Sequence, residues 1–154
     1  PCAPIVTLNG DILPWLNEIR YLGVYIVSYS YFKCSLEYPK RSFYRSANAI
    51  FGKIGHIASE EVVLELIVKK CVPVLLYGLE ACVLNLTQKR SLNFTFNRLL
   101  MKLFSTFDIN IISDVIFYFG LSEPSKLLEQ RQLKFTNKYS NDINMLCKLC
   151  TVNC

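Results

Sequence analysis

The sequence predicts an α+β fold that is mostly α. A small N-terminal antiparallel β-hairpin sheet, residues 1–36, leads into a helical bundle, residues 37–154. Three observations carry this. Asn9-Gly10 stands between the apolar runs Ile5–Leu8 and Ile12–Leu13, and both central residues of a tight hairpin turn need the positive φ that Asn and Gly tolerate. From Pro39 onward the hydrophobic period changes from about 2 to about 3.6. Hydrophobic residues make up 52% of the 154, which excludes a disordered chain and suffices for one real core.

The strands come first. Pro14 ends the opening hairpin, and Trp15 and Leu16 lead into Glu18–Val27. That stretch is rich in β-branched and aromatic residues and reads as one continuous strand. Ile19, Tyr21, Gly23, Tyr25 and Val27 would then share one face, with Glu18, Arg20, Leu22, Val24 and Ile26 on the other. An interior glycine marks either a bulge or a place where another backbone comes close, and composition leaves both open for Gly23. Tyr31–Leu36 adds a further short strand.

The helices follow. The first runs from Pro39 to Ile57, with Phe43, Ala47, Ile50, Phe51 and Ile54 as its apolar stripe. Ser59 opens the second, where Glu60 and Glu61 suit the positive end of the helix dipole. It is apolar nearly all round from Val62 to Val72 and should be buried. Pro73 must kink it or split it, leaving Val74–Cys82 as a second piece. Thr87 caps a third helix, Gln88–Phe104, whose core face is Leu92, Phe96, Leu99, Leu100 and Leu103. A short helix near Ile111–Phe119 stops at Gly120. The last begins after Ser122 with Pro124 in its first turn and reaches about Leu146.

Composition narrows the function classes. A formal net charge of +5 is compatible with a polyanionic partner. The seven cysteines are Cys2, Cys34, Cys71, Cys82, Cys147, Cys150 and Cys154. The odd count and the spacing suggest no disulfide framework and, with no signal-peptide pattern, point to a reduced intracellular compartment, with nucleus and cytoplasm both open. The most apolar run, Cys71–Leu79, is far too short to cross a bilayer. A start at Pro1, almost directly in strand-like sequence, suggests a piece of a longer chain.

No catalytic residue and no metal site emerge. Asp11, Asp108, Asp114 and Asp142 include no adjacent pair, so the sequence does not support a two-metal polymerase site here. His56, the only histidine, reads as a helix C-terminal residue favourable to the dipole. Cys147, Cys150 and Cys154 have a spacing that supplies three thiolates to zinc, but no fourth ligand is evident and free thiols are the alternative. What remains is a basic face on the first helix. Arg41 and Arg45 lie one turn apart, Gly52 and Gly55 leave the face flat further along, and Lys53 flanks it. Lys33 and Lys40 precede it. Flat backbone with flanking cations suits a phosphodiester chain.

Three blocks resemble the reverse transcriptases of non-LTR (LINE-like) retrotransposons. Trp15-Leu16-Asn17-Glu18-Ile19-Arg20-Tyr21-Leu22-Gly23-Val24 resembles the Tyr-Leu-Gly segment that follows the catalytic core. Lys40-Arg41-Ser42-Phe43-Tyr44-Arg45, with Asn48-Ala49-Ile50-Phe51-Gly52-Lys53, is similar to the next block. Pro73-Val74-Leu75-Leu76-Tyr77-Gly78-Leu79-Glu80 is similar to the following landmark, Pro-x-Leu-Leu-Tyr-Gly-x-Glu. Order and spacing also agree. The resemblance implies that residues 1–36 end a palm with primer-grip hairpins, and that residues 37–154 form a thumb-like region. Tyr21, Leu22 and Gly23 would shape the primer grip. Lys40, Arg41, Arg45 and Lys53 would contact the backbone of an RNA template and DNA primer. The family's Mg²⁺-binding aspartates, including a Tyr-x-Asp-Asp motif, lie upstream of this segment, so the intact parent is expected to hold Mg²⁺ and this chain no cofactor. The alternatives are a non-catalytic nucleic-acid-binding or protein-interaction helical module, and a transposon remnant without function.

Overall fold

A two-stranded ribbon opens the chain. In a computed structural model, which describes residues 4–30, 33–55 and 57–141, β1 (Ile5–Val6) pairs antiparallel with β2 (Ile12–Leu13). Gly10 has φ +87° in the connecting turn, as the Asn-Gly signal requires. A second sheet follows, of order β3 (Glu18–Tyr21), β4 (Val24–Val27), β5 (Lys33–Cys34), antiparallel throughout.

The expected single strand from Glu18 to Val27 is corrected. The chain reverses at Leu22-Gly23, where φ is +46° and +83°, the sign pattern of a two-residue hairpin turn. The register is Glu18↔Val27, Ile19↔Ile26, Arg20↔Tyr25 and Tyr21↔Val24. Residues directly opposite share a face, so Arg20 and Tyr25 now lie together where a continuous strand would have separated them. Leucine resists left-handed backbone, which hid the turn. A tertiary contact supports it: the Tyr77 hydroxyl donates to the Leu22 carbonyl at 3.2 Å.

The helical part begins at α1 (Glu37–Ile54), with Pro39 in its first turn where a missing N–H goes unnoticed. Phe43 and Ala47 are fully buried, and Ile50, Phe51 and Ile54 pack beside them. After Ser59 comes α2 (Glu60–Leu66). A wide turn of π type at Ile67–Cys71 and the short α3 (Val72–Leu75) follow. A proline ring collides with the carbonyl four residues back, here Lys69, and widening the preceding turn removes that collision. The second piece expected to reach Cys82 ends instead at Leu75. Gly78, with φ +72°, then turns the chain into a 3₁₀ turn, Leu79–Ala81.

α4 (Leu86–Leu103) starts earlier than Thr87 suggested. Asn85 caps it: its Oδ1 accepts the Gln88 N–H at 2.8 Å, and its own N–H donates to Gln88 Oε1 at 3.0 Å. α5 (Ile109–Tyr118) is capped by Asp108, and α6 (Pro124–Ser140) opens on its proline. The expected end of this helix, with His56 and the Cys147, Cys150 and Cys154 cluster, lies outside the described residues.

One core joins these helices. Phe43, Ile67, Leu75, Leu76, Leu79, Leu92, Phe96 and Leu100 are at most 1% exposed, joined by Ile112 of α5 and Leu128 of α6. Each such side chain contributes about 1.5–3 kcal/mol on burial. No helix among the described residues is long and apolar enough to cross a membrane. The expectation of no disulfide is corrected for two of the cysteines, while Cys71 is a free buried thiol. Cys34 on β5 and Cys82, 48 residues on, form a disulfide with Cα atoms 6.3 Å apart. Sequence spacing gave no hint, because the pairing depends on the fold bringing the sheet edge against the chain beyond the 3₁₀ turn. Disulfides persist chiefly in oxidising surroundings, so the cysteines no longer argue for a reduced compartment.

Candidate nucleic-acid interface

Arg41 and Arg45 are four residues apart on α1, about 40° around the helix from each other. Both are exposed, and both line a cleft of about 560 Å³. The β3–β4 hairpin forms the opposite wall and contributes Arg20, Gly23 and Tyr25, while Pro73 and Tyr77 close one side. The β3–β4 hairpin, α1 and the Pro73–Tyr77 segment thus each supply part of one cleft.

Stacked rings organise its cations. Tyr25 and Tyr38 lie face to face, with centroids 3.4 Å apart and planes 5° from parallel. The Arg20 guanidinium carbon is 5.8 Å from the Tyr25 ring centre, and that of Arg41 is 5.8 Å from the Tyr38 ring centre. A guanidinium held this way is attracted by the ring quadrupole and loses less freedom on meeting a phosphate. The Tyr38 hydroxyl donates to Glu18 Oε2 at 3.3 Å. The Glu18 charge, and after it burial, push the Tyr38 phenol above its ordinary 10.0, so Tyr38 stays a neutral donor at physiological pH. Among the described residues neither Arg20, Arg41 nor Arg45 forms an ion pair. The guanidiniums therefore keep their charge for a ligand.

The structure divides the other candidate residues. Lys40 is about 100° around α1 from Arg41, and its Nζ donates to Ser91 Oγ of α4 at 2.7 Å. It braces two helices and does not line the cleft. Lys53 lies in the last turn of α1, exposed and away from the cleft wall. Tyr21 and Leu22 are 64% and 74% exposed and line a shallower hollow with Gly78 and Glu80. Of the expected grip residues, Gly23 alone reaches the arginine cleft. Its φ of +83° accounts for the glycine by turn geometry, and a Cβ there would meet Tyr77 Cε1 at an ordinary 3.6 Å.

Sequence reasoning missed Arg20, Tyr25 and Tyr38 as parts of this site. Reading Leu22-Gly23 as a turn would have found the first two, because that turn sets Arg20 across from Tyr25. A second groove of about 850 Å³ between α1 and α4 was also missed. There the Arg98 guanidinium carbon lies 5.8 Å from the Phe94 ring centre, and Lys102 Nζ donates to Asn48 Oδ1 at 3.0 Å.

Among the described residues no group of three or more His, Cys, Asp or Glu side chains is placed to hold a metal ion. Comparison with protein-family models, curated proteins and solved structures gives no match.

Proposed function

We propose that this chain is a duplex-holding segment of an RNA-directed DNA polymerase of the non-LTR retrotransposon type, not catalytic by itself. The observation that carries the reading is the cleft, where Arg20, Arg41 and Arg45 converge beside stacked tyrosines. Guanidiniums without carboxylate partners suit phosphate oxygens, and phosphate contacts position a duplex without reading its sequence. A polymerase needs this of its thumb and primer grip, since it must hold every sequence it copies. The RNA template and DNA primer are the proposed partners. Mg²⁺ would be held by carboxylates of the parent enzyme outside this segment. An intracellular location follows from the nucleic-acid substrate and not from the cysteines.

Fluorescence anisotropy with a labelled RNA–DNA hybrid tests this across a salt series. Each phosphate contact adds roughly −0.9 to the slope of log K against log salt, by the B-DNA value. Three arginines then give a slope of about −2.7, and Arg41→Ala with Arg45→Ala should reduce it to about −0.9 while weakening binding. Unchanged affinity and slope in the double variant would make the arginine face ordinary solvated surface.

A further inference from the structure

We propose that the free edge of β3 is a self-association site, where two copies of the chain pair antiparallel about a two-fold axis at Ile19. β3 is an outer strand and pairs only with β4 among the described residues. The two-residue turn makes Tyr21↔Val24 and Ile19↔Ile26 hydrogen-bonded pairs. The series continues at Asn17, whose carbonyl accepts the Ser28 N–H at 2.8 Å. Alternation then points the N–H and C=O groups of Glu18 and Arg20 away from β4. None of these backbone groups has a hydrogen-bond partner among the described residues.

A strand added at this edge must offer outward groups of its own. A second β3 does so with Glu18 facing Glu18, with Arg20 facing Arg20, or with Glu18 facing Arg20. Like charges directly opposite destabilise an antiparallel pair, and opposite charges stabilise it. The first two registers stack like charges on the axis. The third sets Glu18 against Arg20 on both sides of the axis, each pair exchanging both backbone bonds. It also brings Ile19 of one copy onto Ile19 of the other. That residue is 56% exposed, and Trp15 and Leu16 just before the strand are 63% and 61% exposed. The edge therefore carries apolar surface that pairing would cover. Both charged side chains keep capacity for it, since Glu18 spends one carboxylate oxygen on Tyr38 and Arg20 is in no ion pair. The occupant is a second copy because this strand's own sequence is complementary to itself in one of its permitted registers.

Sedimentation equilibrium on the whole chain without nucleic acid tests the proposal, so its outcome is independent of duplex binding. The mass should rise from 17.7 kDa to twice that as concentration increases. Glu18→Arg sets arginine against arginine, and Arg20→Glu sets glutamate against glutamate, so each single variant should remain monomeric. The combined Glu18→Arg/Arg20→Glu variant restores opposite charges and should dimerise again. Amide exchange on the unaltered protein supplies a readout that needs no variant. Protection of the Glu18 and Arg20 amides should grow with concentration, while that of Ile19 and Tyr21, already bonded to β4, should not. A chain monomeric at every concentration overturns the proposal and leaves the edge to a strand of another protein. Dimers that survive both single substitutions, or a folded double variant that stays monomeric, overturn the register.

Discussion

At Gly78 the absence of a side chain lets the β3–β4 hairpin reach the helical body. Its φ is +72°, and a Cβ there would fall inside the van der Waals shell of Val24 Cγ2. Gly10 makes the useful contrast, because its φ is +87° with nothing within 4 Å of an added Cβ. Both glycines avoid the roughly 1–2 kcal/mol that an L-residue pays in left-handed backbone. Only Gly78 also avoids a collision, and overpacking a closed contact costs about 1–3 kcal/mol. Gly78→Ala should therefore lose roughly 1–3 kcal/mol more than Gly10→Ala, read from urea denaturation followed by circular dichroism. Equal losses would mean that Val24 moves aside without cost. In the sequence Gly78 stood in an apolar stretch expected to be helical to Cys82, and nothing local marked its partner. Val24 lies 54 positions earlier on a strand that was itself misread, so the close approach could not be seen from either end.

At the scale of elements, periodic segments were legible and long-range closures were not. The stripes of α1 and α4 follow from apolar spacing alone, and Phe43, Ala47, Leu92, Phe96, Leu99 and Leu100 are buried as that spacing requires. Helix starts slipped by one or two residues where capping chemistry decided them, as when Asn85 and Gln88 took the role assigned to Thr87. The hairpin at Leu22-Gly23 was hidden because a leucine at positive φ contradicts local preference and is sustained by Tyr77 from elsewhere. That one misreading also concealed half of the arginine cleft. The Cys34–Cys82 bond was invisible for the same reason, since it ties β5 to a turn 48 residues later. Closing a loop of that length restricts the unfolded chain by about 4 kcal/mol in the chain-entropy account. Urea denaturation with and without reductant should therefore show a large loss of stability on reduction. The Cys34→Ala/Cys82→Ala variant should show the same loss without reductant and gain none from adding it. If reductant leaves the midpoint in place, the two sulfurs are not bonded in solution, and the sheet is attached to the helices by packing and by the Tyr77–Leu22 and Tyr38–Glu18 hydrogen bonds.

Across the whole molecule, the β1–β2 ribbon stands apart from both the buried core and the arginine cleft. Most buried residues come from α1, the α2–α3 segment, the 3₁₀ turn and α4, joined by Ile112 and Leu128 from the last two helices and by Cys34 of β5 and Cys82. The β1–β2 ribbon contributes none: Ile5, Val6, Ile12 and Leu13 are all about half exposed or more. A two-stranded hairpin whose apolar side chains are left uncovered is marginally stable at best in water. Its opening should thus cost little and be uncoupled from the global transition. The cleft lies between α1, which carries Arg41 and Arg45, and the β3–β4 hairpin, which is held at Gly78, at Tyr77 and, through β5, by the disulfide. Native-state hydrogen exchange should then resolve tiers. Amides of β1 and β2 should exchange faster than those inside α1 and α4 by roughly a hundredfold or more, a gap of about 3 kcal/mol in opening free energy. Amides of β4 should fall between, because that strand packs against the helical body on one side and pairs on both edges. Uniform protection from β1 through α4 would sink this division and make the ribbon part of the cooperative core. If the tiers hold, removing the ribbon leaves the arginine cleft intact, and the salt slope for an RNA–DNA hybrid should be the same with and without it.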